Sequence, residues 1–202
     1  VVRVEREPAA PIIPALFLQD RRSPLLSLVR LQGAEPELLT NERVIGSLIS
    51  LTVDGWLLGP STLFEEISLS EVGVVSGGRL YPIREAIRDT ATGLVYVKIA
   101  AQSASVVGFT PSQDVVAGLP VWTETAPQRF LPHVIVDVRE RAVEGVVASE
   151  AITRRYVINA SLLNMAKGSA VWNGAGQLVG VVEATDAMGA HVIPAAEAMK
   201  VL

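Results

Sequence analysis

Apolar residues along this chain fall in short runs closed by turn-forming residues, the pattern of an all-β sandwich or barrel rather than a helical domain. Leu25 to Leu31 is one such run, with no long amphipathic continuation. Val44 to Val53 is rich in β-branched residues and ends at Asp54-Gly55, a compact hairpin signal, before Trp56-Leu57-Leu58. Gly59-Pro60-Ser61 then predicts a break. Val72 to Val75 leads into Gly77-Gly78, and Arg79 to Ile87 resumes an extended pattern interrupted by Pro82. Leu94 to Ile99 is among the clearest strands, and Val134 to Val138, Val143 to Val147, Val171-Trp172 and Leu178 to Val182 supply more. Asn173-Gly174-Ala175-Gly176 reads as the loop joining the last two. Pro194 to Leu202 differs: a proline at a first helical position precedes strong helix formers, which predicts one terminal helix.

No repeat of 20–50 residues is visible. A weaker twofold organisation is: strand-rich blocks of about ninety residues flank a turn-rich stretch near Ala101 to Gly118, which suggests two barrels in tandem.

Composition narrows the function classes. With 50% hydrophobic and 19% charged residues among 202, the chain is too apolar to be disordered. A net charge of −4 gives no basic footprint for nucleic acid. Cysteine is absent, which removes disulfides, thiolate metal sites and cysteine nucleophiles together. Acid–base and metal chemistry would have to pass largely through two histidines, His133 and His191. No apolar run approaches a membrane span, so membrane attachment is expected only through a segment outside this sequence. The first residues, Val1 to Arg6, resemble neither a signal peptide nor a natural initiator sequence, which predicts a trimmed piece of a longer chain.

The order of motifs resembles a trypsin-like serine protease domain of the HtrA/Deg type, from about Ser23 to the C-terminus. The family's G-S-G-V-I-I-x-x-D-G-Y-I-L-T-N-N-H-V is similar to Gly46-Ser47-Leu48-Ile49-Ser50, then Asp54-Gly55-Trp56-Leu57-Leu58 through Thr62-Leu63. The most specific match sets the family's D-G-R-x-Y/F and D-x-x-T-D-L-A-V-L-K-I beside Gly77-Gly78-Arg79-Leu80-Tyr81 and Asp89 through Leu94-Val95-Tyr96-Val97-Lys98-Ile99. In the second half, Ala117 to Thr123, Glu144 to Ala148, Val157 to Asn173, Gly176 to Val181 and Ala190 to Ala196 follow the family's order.

This resemblance implies a double six-stranded β-barrel with a short C-terminal helix. It implies an N-terminal arm over residues 1–22, a first barrel over about 23–108, a second over about 114–193 and a helix over 194–202. The apolar stretch Pro11 to Leu18 resembles the arm by which such proteins pack between subunits, and packing back onto its own barrel stays equally open. The family's terminal helix precedes a PDZ domain, and none is expected within this chain.

The chemistry departs from the pattern. Acyl transfer by this fold needs a hydroxyl nucleophile, an imidazole to take its proton and a carboxylate to orient the imidazole. The resemblance places Thr62 at the imidazole position, Gly93 at the carboxylate position and Lys167 at the nucleophile position. It places Met165 where a glycine of the oxyanion hole is expected. The leading expectation is therefore a catalytically inactive pseudoprotease without cofactor, acting as a scaffold or regulator. Its partner would be a protein or extended peptide, and the resemblance allows homo- or hetero-oligomers with HtrA/Deg-like proteins. The family implies a periplasmic or otherwise extracytoplasmic location.

Two alternatives stay open. Ser169 with Lys167 as base would make a divergent serine hydrolase. His133 and His191, with a carboxylate such as Asp186, would make a transition-metal site. Carboxylate pairs such as Glu65-Glu66 and Glu140/Glu144 read as solvated faces.

Overall fold

A computed structural model describes residues 23–31, 44–102, 107–142, 152–160 and 166–200. The N-terminal arm, Met165 and the segments Val143 to Val147 and Glu144 to Ala148 fall outside the described residues. Twelve antiparallel strands form two closed barrels. The first contains β1 (Leu25–Arg30), β2 (Val44–Ser50), β3 (Trp56–Pro60), β4 (Val72–Ser76), β5 (Arg79–Asp89) and β6 (Leu94–Ile99), in the order β1-β2-β3-β6-β5-β4. The second contains β7 (Pro120–Ala126), β8 (Arg129–Ala142), β9 (Ile152–Ile158), β10 (Ala170–Asn173), β11 (Leu178–Asp186) and β12 (Gly189–Pro194), in the order β10-β11-β12-β9-β8-β7. Closure leaves neither barrel with an unpaired edge along its full length.

Each barrel is filled by inward-facing, mostly aliphatic residues. Leu28, Leu48, Leu57, Val74 and Val97 meet in the first, and Val121, Ile135, Tyr156, Val179 and Val192 in the second. A third cluster joins them. Leu25, Ile49, Leu58 and Tyr96 from one barrel pack with Trp172, Leu178, Val181 and Ile193 from the other. Apolar burial of this kind, at roughly 25 cal/mol per Å², makes the two barrels one packed body. Among the described residues no helix is long and apolar enough to cross a membrane.

Three local features differ from the sequence reading. The break expected at Gly59-Pro60-Ser61 comes at its last residue: β3 runs through Pro60, which sits opposite Leu94, and a 3-10 turn over Ser61–Phe64 follows it. Proline is tolerated there because it occupies the last strand position. The run pattern does not single out β7 and β9, because Glu124 and the Arg154-Arg155 pair interrupt their apolar alternation.

The C-terminal helix is a 3-10 segment, Ala195–Lys200, not an α-helix. Pro194 remains in β12, paired with Gly180, so the helical segment starts one residue later than its proline suggests. Ala195 and Ala198, three residues apart, are both fully buried in the shared core. A 3-10 helix stacks i and i+3 on one face, so this register serves the core better than an α-turn. Tyr96 anchors the segment, its hydroxyl donating to the Ala198 carbonyl at 3.4 Å.

Candidate functional site

The three positions that the family resemblance assigns to catalysis all border β11 at Val182-Glu183. Thr62 lies in the turn after β3, and its hydroxyl stands 3.4 Å from the Glu183 carbonyl. Gly93 precedes β6, and its carbonyl accepts a 2.8 Å hydrogen bond from the Ser61 N–H, which sets it beside Thr62. Its φ is +78°, and a Cβ there would lie 3.1 Å from Arg155 Nη2 and 3.6 Å from Glu183 Oε1. Lys167 enters from the turn before β10. Its carbonyl accepts the Ser47 N–H at 3.0 Å, and the next residue, Gly168, donates to the Val182 carbonyl at 2.8 Å. Only glycine fits at 168: φ is +85°, and a Cβ would fall 1.8 Å from the Ser47 carbonyl oxygen.

What occupies this seam is an ion pair. Arg155, from β9, donates through Nη2 to the Thr92 carbonyl at 2.6 Å and through Nη1 to the Arg154 carbonyl at 3.1 Å. Its Nε lies 3.4 Å from Glu183 Oε2, an ion-pair contact rather than an aligned hydrogen bond. The side chains are 12% and 23% exposed, dry enough for the pair to matter more than one on an open surface. The carboxylate of Glu183 thus reaches the space above Gly93 from the opposite barrel, held by a guanidinium. Sequence reasoning missed both residues. The available signal was their placement: Glu183 comes directly after the Leu178 to Val182 run, and Arg155 interrupts an otherwise strand-forming segment.

Ser169 does not fit a nucleophile's role. It is fully buried, its hydroxyl donates to the Ala166 carbonyl at 2.8 Å, and its carbonyl accepts the Val182 N–H at 2.9 Å. A hydroxyl committed inside the turn has no line of approach to a substrate, and Lys167 is exposed with no bond to it among the described residues.

Nor are the histidines brought together. His133 lies on β8 with Nδ1 3.4 Å from the Asn159 carbonyl, and burial lowers its pKa. His191 lies on β12, its Nε2 2.7 Å from Asp186 Oδ2, a bond that holds the Asp186 carboxyl below its usual range. The expected Asp186 partner is present, but β9 separates the two histidine strands in the barrel. Among the described residues no three potential ligands stand close enough to hold a metal ion.

A second polar centre is buried away from this seam. Glu124 on β7 is 1% exposed. Its Oε1 accepts from the Ser23 hydroxyl at 2.5 Å and the Gln128 N–H at 2.9 Å, and its Oε2 from Trp172 Nε1 at 3.2 Å. Burial pushes its pKa up, against the pull of these donors.

The seam also exposes backbone. β10 accompanies β11 only as far as Val181, with two further bonds at Val182 to the Gly168-Ser169 turn. Beyond a bulge at Glu183, β11 pairs with β12 from Ala184 to Asp186 on one side, and among the described residues no strand covers the other. Ala184, at the start of this stretch, is exposed.

Similarity to solved structures is extensive, although no family model and no curated protein matches the chain. The Rv3671c protease of M. tuberculosis in its active form has a TM-score of 0.66 and 16% identity, over 99% of this chain and 91% of that one. The HtrA-type protease AlgW with decapeptide has a TM-score of 0.68 and 15% identity, over 94% of this chain and 66% of that one. A serine endoprotease from Yersinia pestis has a TM-score of 0.65 and 18% identity, over 95% and 66%. At such identities the likeness establishes the fold, that of trypsin-like, HtrA-type protease domains.

Proposed function

We propose that this trypsin-like fold of the HtrA type works without catalysis, binding an extended peptide or partner-protein segment along the uncovered edge of β11. The observation that carries the reading is the convergence of Thr62, Gly93 and Lys167 on Val182-Glu183. A threonine hydroxyl cannot take a proton as an imidazole does, a glycine orients nothing, and an ammonium is no acyl acceptor at neutral pH. The carboxylate nearest this point, Glu183, faces Arg155 instead of a histidine.

Peptide capture asks for none of those groups. An added strand is held by main-chain hydrogen bonds and by pockets for alternate side chains. The segment Glu183 to Asp186 offers such an edge beside the barrel seam. AlgW, one of the similar proteins, was solved with a decapeptide. Regulation of an active homologous protease, in mixed oligomers and outside the cytoplasm, is the biological setting this reading favours.

The test is binding of a fluorescein-labelled peptide library, then backbone N-methylation of the tightest binder at alternate residues. Strand addition requires that N-methylation on one face weaken binding about five- to thirtyfold, the loss of a hydrogen bond or two at roughly 1 kcal/mol each. Binding that ignores N-methylation at every position contradicts the reading.

A further inference from the structure

The edge of β11 that no described strand covers has a direction and an end, and both constrain what can lie on it. β10 runs antiparallel to β11, with Ala170 opposite Val181 and Trp172 opposite Leu178. Just ahead of β10, Gly168 is bonded to Val182. A peptide antiparallel to β11 over Asp186 to Glu183 would therefore be collinear with β10, and its C-terminal end would meet the Lys167-Gly168 turn. It could not run straight on, since the turn occupies the line.

The charges at this end are asymmetric. Lys167 is exposed, and among the described residues its ammonium has no ion-pair or hydrogen-bond partner. The neighbouring carboxylate, Glu183, is engaged by Arg155 on the side of Gly93. A parallel peptide would present its terminal ammonium to Lys167, which is repulsive. An antiparallel peptide with a free C-terminus would present a carboxylate, which is attractive.

Resting on the proposed peptide-binding role, we infer that the ligand is a chain terminus: an extended peptide ending in a free carboxylate, received by Lys167 at the position the fold normally gives to a nucleophile. Lys167 then acts as a selectivity residue, distinguishing chain ends from internal segments. Main-chain pairing along β11 supplies most of the affinity, and the ammonium supplies the preference for a terminus.

The experiment compares one labelled peptide, the tightest binder of the fluorescein-labelled library, as its free acid and as its C-terminal amide, by fluorescence polarisation. For a partly exposed cation–carboxylate pair the free acid should bind about three- to fivefold more tightly. The preference should shrink as salt is raised, vanish in Lys167→Gln and persist in Lys167→Arg. Equal affinity of acid and amide in the unaltered protein, or a preference that survives Lys167→Gln, overturns the assignment while leaving strand addition intact. If binding is also indifferent to N-methylation, both readings fail together.

Discussion

Placing a carboxylate at position 93 is a direct probe of the packing at this seam. In Gly93→Asp the new Cβ meets Arg155 Nη2 at 3.1 Å, Glu183 Oε1 at 3.6 Å and Ile193 Cδ1 at 3.6 Å, on a backbone with φ of +78°. An L-residue in that left-handed region costs about 1–2 kcal/mol, with Asp toward the lower end. Displacing Arg155 from the Thr92 carbonyl, 2.6 Å away, removes a hydrogen bond to a charged group worth about 1.5–3 kcal/mol. With the Asp backbone cost at about 1 kcal/mol, together these give a destabilisation of roughly 2.5–4 kcal/mol. For a domain of this size that lowers Tm by roughly 5–15 °C. Gly93→Ala isolates the backbone component and should lose less than half as much. Differential scanning calorimetry of the three proteins provides the comparison. A Gly93→Asp protein that melts with the parent would refute the claim that Arg155 and Glu183 fill the space beside Gly93.

Buried charge carries two further outcomes. Glu124 has its pKa raised by burial above the ordinary 4.5, so the folded state holds its proton more tightly than the unfolded chain. Its contribution is therefore greatest below that ordinary value and is lost as pH rises through the folded pKa; urea titrations across pH 4 to 8 should show this slope flattened in Glu124→Gln. At the seam, Arg155→Met should cost about 1–3 kcal/mol by leaving Glu183 and the Thr92 carbonyl without their donor, less than for a fully buried pair because Glu183 is partly solvated. The double variant Arg155→Met/Glu183→Gln should recover part of that loss, a coupling read from a double-mutant cycle by chemical denaturation.

The double barrel was legible because its strands are bounded by local chemistry. Asp54-Gly55, Gly77-Gly78 and Asn173 to Gly176 are turns in the structure as in the pattern. The spacing from Gly77 to Ile99 located β5 and β6.

Arg155 and Glu183 were not legible for the opposite reason. Their meeting depends on how β9, β11 and the Thr92 turn dock, across sequence separations no local pattern encodes. The histidines divide along the same line. His191 and Asp186 are five residues apart on one hairpin and do pair, whereas His133 is bonded to Asn159 on another strand pair. Helix propensity misled at Ala195 to Lys200, because six residues nucleate an α-helix poorly and the core takes the 3-10 spacing instead.

The proposed non-catalytic role requires that the chain hold no acyl-transfer centre. Its sharpest test is intact-mass spectrometry of the purified chain after prolonged exposure to a fluorophosphonate, with casein cleavage measured in parallel. The account predicts an unmodified mass and no cleavage above a heat-denatured control. A stoichiometric adduct with casein turnover, both abolished by Ser169→Ala, would contradict it.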